Sequence, residues 1–174
     1  DLTKARITET LEQAGRMLRY DFLEEAKAFF GADKIAVAHH MDDQAESILL
    51  HLVRGSGLRG LCGMAPRRGD IIRPLLCLSK AEIESYLANE NLPYCTDATN
   101  FIAEGTRNKL RLETIPYLKR EFNPRLVESL CAMGEMLSED EGYLCQIAER
   151  ELNAARRQGG FDRAALSKLP RPIL

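Results

Sequence analysis

Apolar residues recur three or four positions apart along much of the chain, which is the spacing of one face of a helix. Residues 3–30 show this spacing and are followed by Gly31, so we predict a helix that ends there. A second long pattern over residues 124–157 predicts one helix, or two helices that meet near Gly134 or Gly142. The apolar face of the first helix consists of Ile7, Leu11, Ala14, Leu18, Phe22, Ala26 and Phe29.

Two short apolar runs between these helices are predicted strands. Residues 34–38 are too short and too continuously apolar for a surface strand, and they suit a parallel strand buried on both faces. The run Ile71-Ile72-Arg73-Pro74 predicts a short edge-type strand that the proline ends. Ser79 and Glu82 then have the spacing of a capping box, which starts a further helix. Helices that alternate with strands in this way indicate an α/β fold.

Two imidazoles and three carboxylates follow the first predicted strand, in the sequence His39-His40-Met-Asp-Asp-Gln-Ala-Glu46. In open α/β sheets, ligands bind at the carboxyl ends of the strands. A capping box with Asp43 at the N-cap and Glu46 at N3 would account for those two carboxylates without any ligand. It would not account for Asp42 and the two histidines, so this stretch is the best candidate for chemistry in the sequence.

Two kinds of site fit these side chains. Histidine beside aspartate is a common ligand set for the divalent ion of a hydrolase. Alternatively, carboxylates hold a cationic amine or a nucleotide-bound Mg²⁺ while a histidine handles protons. The metal hydrolase is disfavoured because no further ligand cluster follows downstream, and the one other histidine, His51, falls inside a predicted helix. We therefore assign no metal ligands.

A glycine-rich run, Arg54-Gly-Ser-Gly-Leu-Arg-Gly-Leu-Cys-Gly63, comes after the helix that follows this stretch. Its first glycines match the dinucleotide-binding pattern G-x-G-x-x-G, but that pattern requires a preceding strand and a following helix. Here a helix precedes the glycines, so we reject this interpretation. We predict a flexible loop in which Arg54 and Arg59 are able to approach phosphate or nucleic acid. Residues 93–111 are also predicted to be irregular, and the helix after them is expected to break near Pro116.

Composition and charge narrow the class of protein. The 174 residues are 45% hydrophobic with a net charge of −2, and no run approaches the length of a membrane span. Residues 54–125 nevertheless carry 12 basic and 8 acidic groups, which is compatible with a phosphate-bearing partner. The five cysteines include no C-x-x-C pair, which predicts buried thiols in a reducing, cytoplasmic compartment.

Several blocks of the sequence together resemble the tRNA(Ile)-lysidine synthase family, whose members are PP-loop (N-type) ATP pyrophosphatases. The resemblance covers roughly residues 10–125 and implies a partial Rossmann-like, adenine-nucleotide α-hydrolase-like parallel sheet with flanking helices, followed by a mostly helical segment. The matching blocks are His39-His40-Met-Asp-Asp-Gln-Ala-Glu46, Leu52-Val-Arg-Gly-Ser-Gly-Leu-Arg-Gly-Leu61, Ala14-Gly-Arg-Met-Leu-Arg-Tyr20, Arg73-Pro-Leu-Leu76, Asp97-Ala-Thr-Asn100 and Arg107-Asn-Lys-Leu-Arg111.

The resemblance implies an ATP-dependent ligase that forms lysidine. In this family, ATP adenylates C2 of the wobble cytidine in a CAU anticodon, and the ε-amine of free lysine then displaces AMP. The implied cofactors are ATP and Mg²⁺, and the implied partners are tRNA(Ile) and lysine, in the cytoplasm and away from membranes. The family also makes a homodimer a reasonable expectation.

The resemblance also implies roles for individual residues. Asp43 and Glu46 would hold lysine, and His39 would lie near the adenylated base. The nucleotide and reaction centre would further involve Arg19, Asp42, Asn100, Arg107 and Arg111. Approach to tRNA phosphates would involve Arg54, Arg59, Gly55 and Gly57.

One element of the family is missing from the sequence. The PP-loop motif S-G-G-x-D-S does not occur, and we expect it to precede Asp1, in a longer protein. We therefore divide the chain into the C-terminal part of an ATP pyrophosphatase domain (1–122), a helical linker region (123–158) and the start of a truncated substrate-recognition domain (159–174). The fragment alone is expected to be inactive. Another PP-loop tRNA-modifying enzyme and a non-catalytic RNA-binding fragment are the alternatives.

Overall fold

The computed structural model describes residues 11–95 and 105–173, and for residues 11–13 it describes the backbone alone. The chain divides into two compact units. The first consists of Asp1–His39 and Ala65–Cys77, and the second consists of His40–Met64 and Leu78–Leu174. The predicted positions Ile7 and Asn100 lie outside the described residues.

The first unit combines one long helix with a small sheet. Helix α1 (Leu11–Phe30) ends as predicted, because Gly31 adopts a φ of +60° that L side chains rarely tolerate. Strand β1 (Ile35–Ala36) runs parallel to β3 (Ile71–Ile72), and β2 (Arg67–Arg68) pairs with β3 in the antiparallel sense. The strand order is β1-β3-β2.

The sheet differs from the prediction in two respects. Strand β3 is central and not an edge strand, because the chain turns at Gly69 and places β2 along its second side. Strand β1 is buried on one face only: Ile35 is buried, whereas Ala36 is exposed. Among the described residues β1 pairs with β3 alone, so it does not have the surroundings of a central strand.

The predicted apolar face of α1 is only partly covered. Ala14 is buried and Leu18 and Ala26 are half-buried, but Phe22 and Phe29 are 66% and 83% exposed. The prediction that these two phenylalanines belong to the core face is therefore wrong. Helical spacing identifies a face, but it does not determine how much of that face the surrounding chain covers.

Asp70 connects the helix of the first unit to its sheet. Its carboxylate accepts hydrogen bonds from Lys27 Nζ at 2.5 Å and from Lys34 Nζ at 2.7 Å, while its carbonyl accepts the backbone N–H of Ile35 at 2.9 Å. The two ammonium groups hold the pKa of Asp70 at about 2. The turn between β2 and β3 is thus fixed to the end of α1 and the start of β1.

The second unit is helical. Helix α2 (Met41–Val53) leads into the short helix α3 (Leu58–Leu61), and α4 (Lys80–Asn89) begins at the predicted Ser79 cap. The capping box is present as predicted, since the Ser79 N–H donates to Glu82 Oε2 at 2.8 Å and the Glu82 N–H donates to Ser79 Oγ at 3.2 Å.

Residues 106–121 form a continuous helical segment, although the sequence predicted an irregular stretch up to residue 111 and a helix broken near Pro116. Residues 93–95 are irregular as predicted, and residues 96–104 lie outside the described residues. The helical segment consists of α5 (Thr106–Lys109), a π-helical turn (Leu110–Thr114) and α6 (Ile115–Glu121). Proline lacks an N–H and its ring crowds the carbonyl four residues earlier. The wider π turn accommodates both effects, because the Ile115 N–H donates to Leu110 O, five residues back.

Helix α7 (Leu126–Ala154) is a single 29-residue helix and does not divide at either glycine. A two-stranded hairpin follows α7 and consists of β4 (Arg156–Arg157) and β5 (Gly160–Phe161). Gly159 and Gly160 lie at its turn. The short helix α8 (Arg163–Leu166) and a 3₁₀ turn (Arg171–Ile173) complete the described chain. The proposed boundaries near residues 122 and 158 stay a prediction, and α7 belongs to the second unit.

The core of the second unit lies between α2, the π turn and α7. Its buried members are Ala45, Leu49, Leu110, Ile115, Val127 and Cys131. Burial raises the pKa of the Cys131 thiol to about 11, so it stays protonated.

All five cysteines are free thiols. The prediction of buried thiols holds for Cys131 and partly for Cys62, but it is wrong for Cys77, Cys95 and Cys145, which are exposed. Within the described ranges no helix is long and apolar enough to cross a membrane.

Gly134 sets the distance at which α7 packs. A Cβ at this buried position would lie 2.9 Å from Ile48 Cδ1 and 3.3 Å from Cys62 O, which is closer than side chains normally approach. A Cβ at Gly142, on the same helix, would meet nothing within 4 Å. The two glycines therefore have different roles, although the sequence presents them alike.

We predict opposite effects for alanine at these two positions. Gly134→Ala should destabilise the protein by about 1 kcal/mol or more, because the added methyl must displace tightly packed atoms. Gly142→Ala should stabilise it by about 0.5–1 kcal/mol, because alanine loses less backbone entropy than glycine in a helix. Urea unfolding of both variants measures the difference, and similar free energies of unfolding would contradict the packing role of Gly134.

Candidate active site

Helix α2 begins three residues earlier than the predicted capping box requires. His40 is the N-cap, with an extended backbone (φ −123°, ψ 179°), and its N–H donates to Asp43 Oδ2 at 3.1 Å. Asp43 is therefore the N3 residue and not the N-cap, so the prediction of an Asp43–Glu46 capping box is wrong. The correction matters for function, because Glu46 is left without a capping role.

The three carboxylates of α2 are divided by this register. Asp43 and Glu46 are three residues apart, so they project from the same face of the helix. Asp42 is directed elsewhere: its Oδ2 accepts the backbone N–H of Lys80, at the start of α4, at 2.8 Å. That bond satisfies a free donor at a helix N-terminus and connects the starts of two helices.

Two arginines meet the Asp43–Glu46 face. Arg107 on α5 places Nε 3.1 Å from Glu46 Oε2. Arg111, in the π turn, places Nε 2.5 Å from Glu46 Oε1 and Nη2 3.0 Å from Glu46 Oε2, which is a bidentate pair. The same Nη2 lies 3.0 Å from Asp43 Oδ1, so Arg111 bridges both carboxylates.

Further hydrogen bonds fix the second guanidinium. Arg107 Nη2 donates to the Asp43 carbonyl at 3.4 Å and to Ser47 Oγ at 3.3 Å. The Ser47 hydroxyl in turn donates to the same carbonyl at 2.9 Å. Ser47 was not predicted, and its only signal in the sequence is its position next to Glu46.

Exposure increases across this cluster from Glu46 outwards. The Glu46 side chain is 1% exposed and the Asp43 side chain 13%, whereas Arg107 and Arg111 are 29% and 32% exposed. Asp42 is the most open carboxylate, at 36%. The hydrogen bond with Glu46 raises the pKa of Arg111, so this guanidinium stays charged. A buried carboxylate thus holds two partly exposed cations at the protein surface.

His40 lies between the two neighbouring aspartates. Its Nδ1 is 3.5 Å from Asp42 Oδ2, and its Nε2 is 3.4 Å from Asp43 Oδ2. The contact with Asp42 raises the pKa of His40 and, reciprocally, holds the pKa of Asp42 at about 2. Of the two histidines in the motif, the predictions assigned a role only to His39, which is half-buried at the end of the first unit.

The glycine-rich segment is more ordered than the predicted flexible loop. Gly57 is the N-cap of α3, and Gly55 adopts a φ of +74°. The His51 Nδ1 lies 2.7 Å from Gly60 O, and the buried Gln44 side chain donates to Met64 O at 3.1 Å and accepts the Met64 N–H at 2.6 Å. Side chains of α2 therefore hold the later part of this segment, from Gly60 to Met64.

The structure brings together some of the predicted site residues and leaves others apart from them. Arg54 and Arg59 are exposed beside the glycine segment, and Arg19 is exposed on α1 in the first unit. Asn100 lies outside the described residues. In the described ranges no group of three or more His, Cys, Asp or Glu side chains has the arrangement of a metal site. The predicted residues that meet in the second unit are Asp43, Glu46, Arg107 and Arg111, whereas Asp42 contacts the start of α4.

Comparisons with known proteins match the sequence resemblance. The profile described as PP-loop domain covers residues 1–118. The chain is 47% identical over 142 residues to a protein of Caldanaerobacter subterraneus named tRNA(Ile)-lysidine synthase, and this match covers 82% of the chain and 30% of that protein. Proteins of the same name from Bacteroides thetaiotaomicron and Geobacter sulfurreducens are 45% and 42% identical, over 79% and 87% of the chain and 32% and 33% of their own lengths. The chain thus spans about a third of the length of the curated relatives it matches.

We predict that Glu46→Gln destabilises the second unit. Loss of the carboxylate charge leaves two partly exposed guanidiniums facing a neutral amide, and loss of such charged hydrogen bonds costs about 1.5–3 kcal/mol. The matched control is Glu84→Gln on α4, whose carboxylate forms an exposed ion pair with Lys80 at 3.5 Å. That pair should contribute less than about 0.5 kcal/mol. Urea unfolding measures the free energy of unfolding of both variants. Equal decreases in the two variants would contradict the stabilising role of the Glu46 ion pairs.

The contact between His40 and Asp42 predicts a pH dependence of stability. The raised pKa of His40 makes its contribution complete below its ordinary value of 6.5 and lost as the pH rises through the folded-state value. The lowered pKa of Asp42 makes its contribution complete above 3.8 and lost as the pH falls through about 2.

Unfolding of His40→Gln tests this dependence. The variant should lose more free energy of unfolding, relative to the unchanged protein, at about pH 5.5 than at about pH 8.5. Equal losses at the two pH values would show that the imidazole charge does not contribute.

Proposed function

Because the chain belongs to the PP-loop domain family and matches tRNA(Ile)-lysidine synthases over most of its length, we propose that the protein containing it forms lysidine. The substrates are ATP, free lysine and a tRNA(Ile) with a CAU anticodon. The observation that carries this proposal is the acidic face at the start of α2, held by Arg107 and Arg111.

The proposed reaction has two steps. The O2 atom of the wobble cytidine attacks the α-phosphate of ATP, so that pyrophosphate leaves and C2 carries an adenylate. The neutral ε-amine of lysine then attacks C2, the C2–O bond breaks, and AMP leaves with its electron pair. The attacking amine must first lose the proton of its ammonium form, which requires a nearby base.

The contacts favour Asp43 as the carboxylate that holds the lysine ammonium. Asp43 pairs with Arg111 through Oδ1 and accepts the His40 N–H through Oδ2, but its side chain is 13% exposed and is therefore more accessible to a ligand than Glu46. Both oxygens of Glu46 are occupied by guanidiniums, and the residue is buried. In this proposal Glu46 orients the two arginines, and the prediction that it also contacts lysine stays a prediction.

Arg107 and Arg111 provide positive charge beside the proposed amine site. Guanidiniums pair with phosphate in a bidentate manner, so these partly exposed side chains suit the negative charge of the adenylate and the leaving AMP. Their charge also lowers the affinity of the site for a second cation. We retain Arg19, Asn100 and His39 near the nucleotide and the adenylated base on the family resemblance.

The glycine-rich segment is the proposed tRNA contact. Arg54 and Arg59 are exposed, and neither forms an ion pair within the described part of the chain. The Gly55 N–H donates to Leu52 O at 3.0 Å, so in this proposal Gly55 and Gly57 shape the turn that presents the two arginines to phosphate oxygens. Contacts of this kind position an RNA without reading its sequence, so the anticodon must be read elsewhere.

ATP use is implied by the PP-loop family. Mg²⁺ is proposed as the partner of the ATP phosphates, and its chemistry would be to neutralise their charge. Asp42, the most exposed of the three carboxylates discussed on α2, fits a single contact to it. We also propose a cytoplasmic location and a homodimer.

Asp43→Asn in the full-length protein tests the proposal. The variant should lose lysine incorporation into a CAU-anticodon tRNA by at least about a hundredfold, because a neutral amide no longer holds the ammonium. Its affinity for the tRNA should stay within about twofold of the unchanged protein, because Asp43 does not contact phosphate. Asp140→Asn, an exposed aspartate of α7, is the matched control and should retain activity.

Three outcomes would contradict this proposal. Full lysine incorporation by the Asp43 variant would remove Asp43 from the site. Activity of the unchanged protein with another nucleophile, but not with lysine, would favour a different PP-loop tRNA-modifying enzyme. Binding of tRNA without any ATP-dependent product would favour a non-catalytic RNA-binding protein.

A further inference from the structure

A second basic site lies within the first unit, between α1 and the β2–β3 hairpin. It is a pocket of about 310 Å³, at the small end of the range that ligand sites occupy. None of its residues has a role in the reaction proposed above. The described residues that line it are Arg16, Tyr20, Glu24, Arg68, Ile71 and Arg73.

Arg73 is the unusual member of this pocket because its charge is buried and uncompensated. The residue is 6% exposed. Its Nη1 donates to the Ala65 carbonyl at 2.6 Å, but its buried Nε has no hydrogen-bond acceptor in the described chain. It forms no ion pair with any described carboxylate. Buried charges in proteins are normally paired with an opposite charge. The buried Arg73 guanidinium therefore favours the binding of an anion.

The rest of the pocket adds positive charge. Arg16 and Arg68 are exposed at its rim, and Glu24 is the one acidic group among the described lining residues. The Glu24 carboxylate lies 3.5 Å from Lys27, so its charge is already partly balanced. The pocket is therefore lined by three guanidiniums and one carboxylate. This excess of positive charge favours an anionic ligand.

Tyr20 gives the pocket an aromatic wall. The Arg16 guanidinium lies 5.5 Å from the centroid of the Tyr20 ring. Such a pair presents a flat surface beside the cations, and flat surfaces of this type stack against nucleobases. A phosphate held by Arg73 and Arg68 would place an attached nucleoside within reach of this wall.

We propose that this pocket binds one nucleotide unit, with its phosphate held by the guanidiniums of Arg68 and Arg73. Guanidinium groups match phosphate oxygens in a planar, bidentate geometry, and the free Nε–H of Arg73 supplies a donor without breaking an existing bond. The nucleotide is supplied either free or as part of an RNA backbone.

Side-chain NMR of the 174-residue chain tests this proposal directly. The Arg73 Nε–H resonance, assigned with Arg73→Lys, is followed during separate titrations with inorganic phosphate, AMP and an RNA trinucleotide that has no terminal phosphate. We expect a saturable downfield shift with AMP, with the trinucleotide, or with both. Saturation by AMP alone identifies a free nucleotide as the source, and saturation by the trinucleotide alone identifies an RNA backbone.

Adjacent arginines of β2 provide a matched pair of variants. Arg68→Gln removes a rim guanidinium and should weaken binding of the saturating probe by about tenfold. Arg67→Gln makes the same change in charge at a side chain that does not line the pocket and donates to Gly69 O, so binding should change by less than about twofold. No shift of the Arg73 resonance with any probe would overturn the proposal, as would equal weakening by the two variants. The titration needs neither lysine nor the anticodon, so its failure is separate from failure of the proposed reaction.

Discussion

A single buried carboxylate organises the ion pairs of the second unit. Glu46 is 1% exposed and accepts hydrogen bonds from both Arg107 and Arg111, so α2 is tied to the segment formed by α5 and the π turn. A carboxylate in this environment is tolerated because two guanidiniums surround it, and removal of either side would leave an unpaired charge. The same bonds hold the arginines beside Asp43, which is where we place the chemistry.

The π turn gives this ion-pair cluster its geometry. Pro116 cannot donate a backbone hydrogen bond, and the helix widens just before it while remaining continuous. Arg107 and Arg111 therefore stay one turn apart along a continuous helical segment and reach the same carboxylate. Proline normally interrupts a helix, but here Pro116 follows the π turn that carries Arg111 to Glu46.

The two units carry positive charge in different ways. In the second unit the cations are paired with acidic groups and partly exposed, which suits a site that must hold both an amine and a phosphate-bearing group. In the first unit Arg73 is buried without an anion in the described chain, which suits a ligand that brings its own negative charge. Neither distinction is visible in the net charge of −2.

The sequence by itself determined the ends of several elements and the family to which the chain belongs. Gly31 ended α1, Ser79 and Glu82 started α4, and the matching motif blocks indicated the family, because capping and motif chemistry act over a few residues. Only the tertiary structure decided how these elements were used. The start of α2 at His40, the uninterrupted course of α7 at Gly134, the exposure of Phe22 and Phe29, and the unpaired charge of Arg73 all depend on neighbours distant in the chain. The burial of a side chain and the pairing of a charge arise from packing between elements. The local spacing of residues does not specify which distant residue will pack against them.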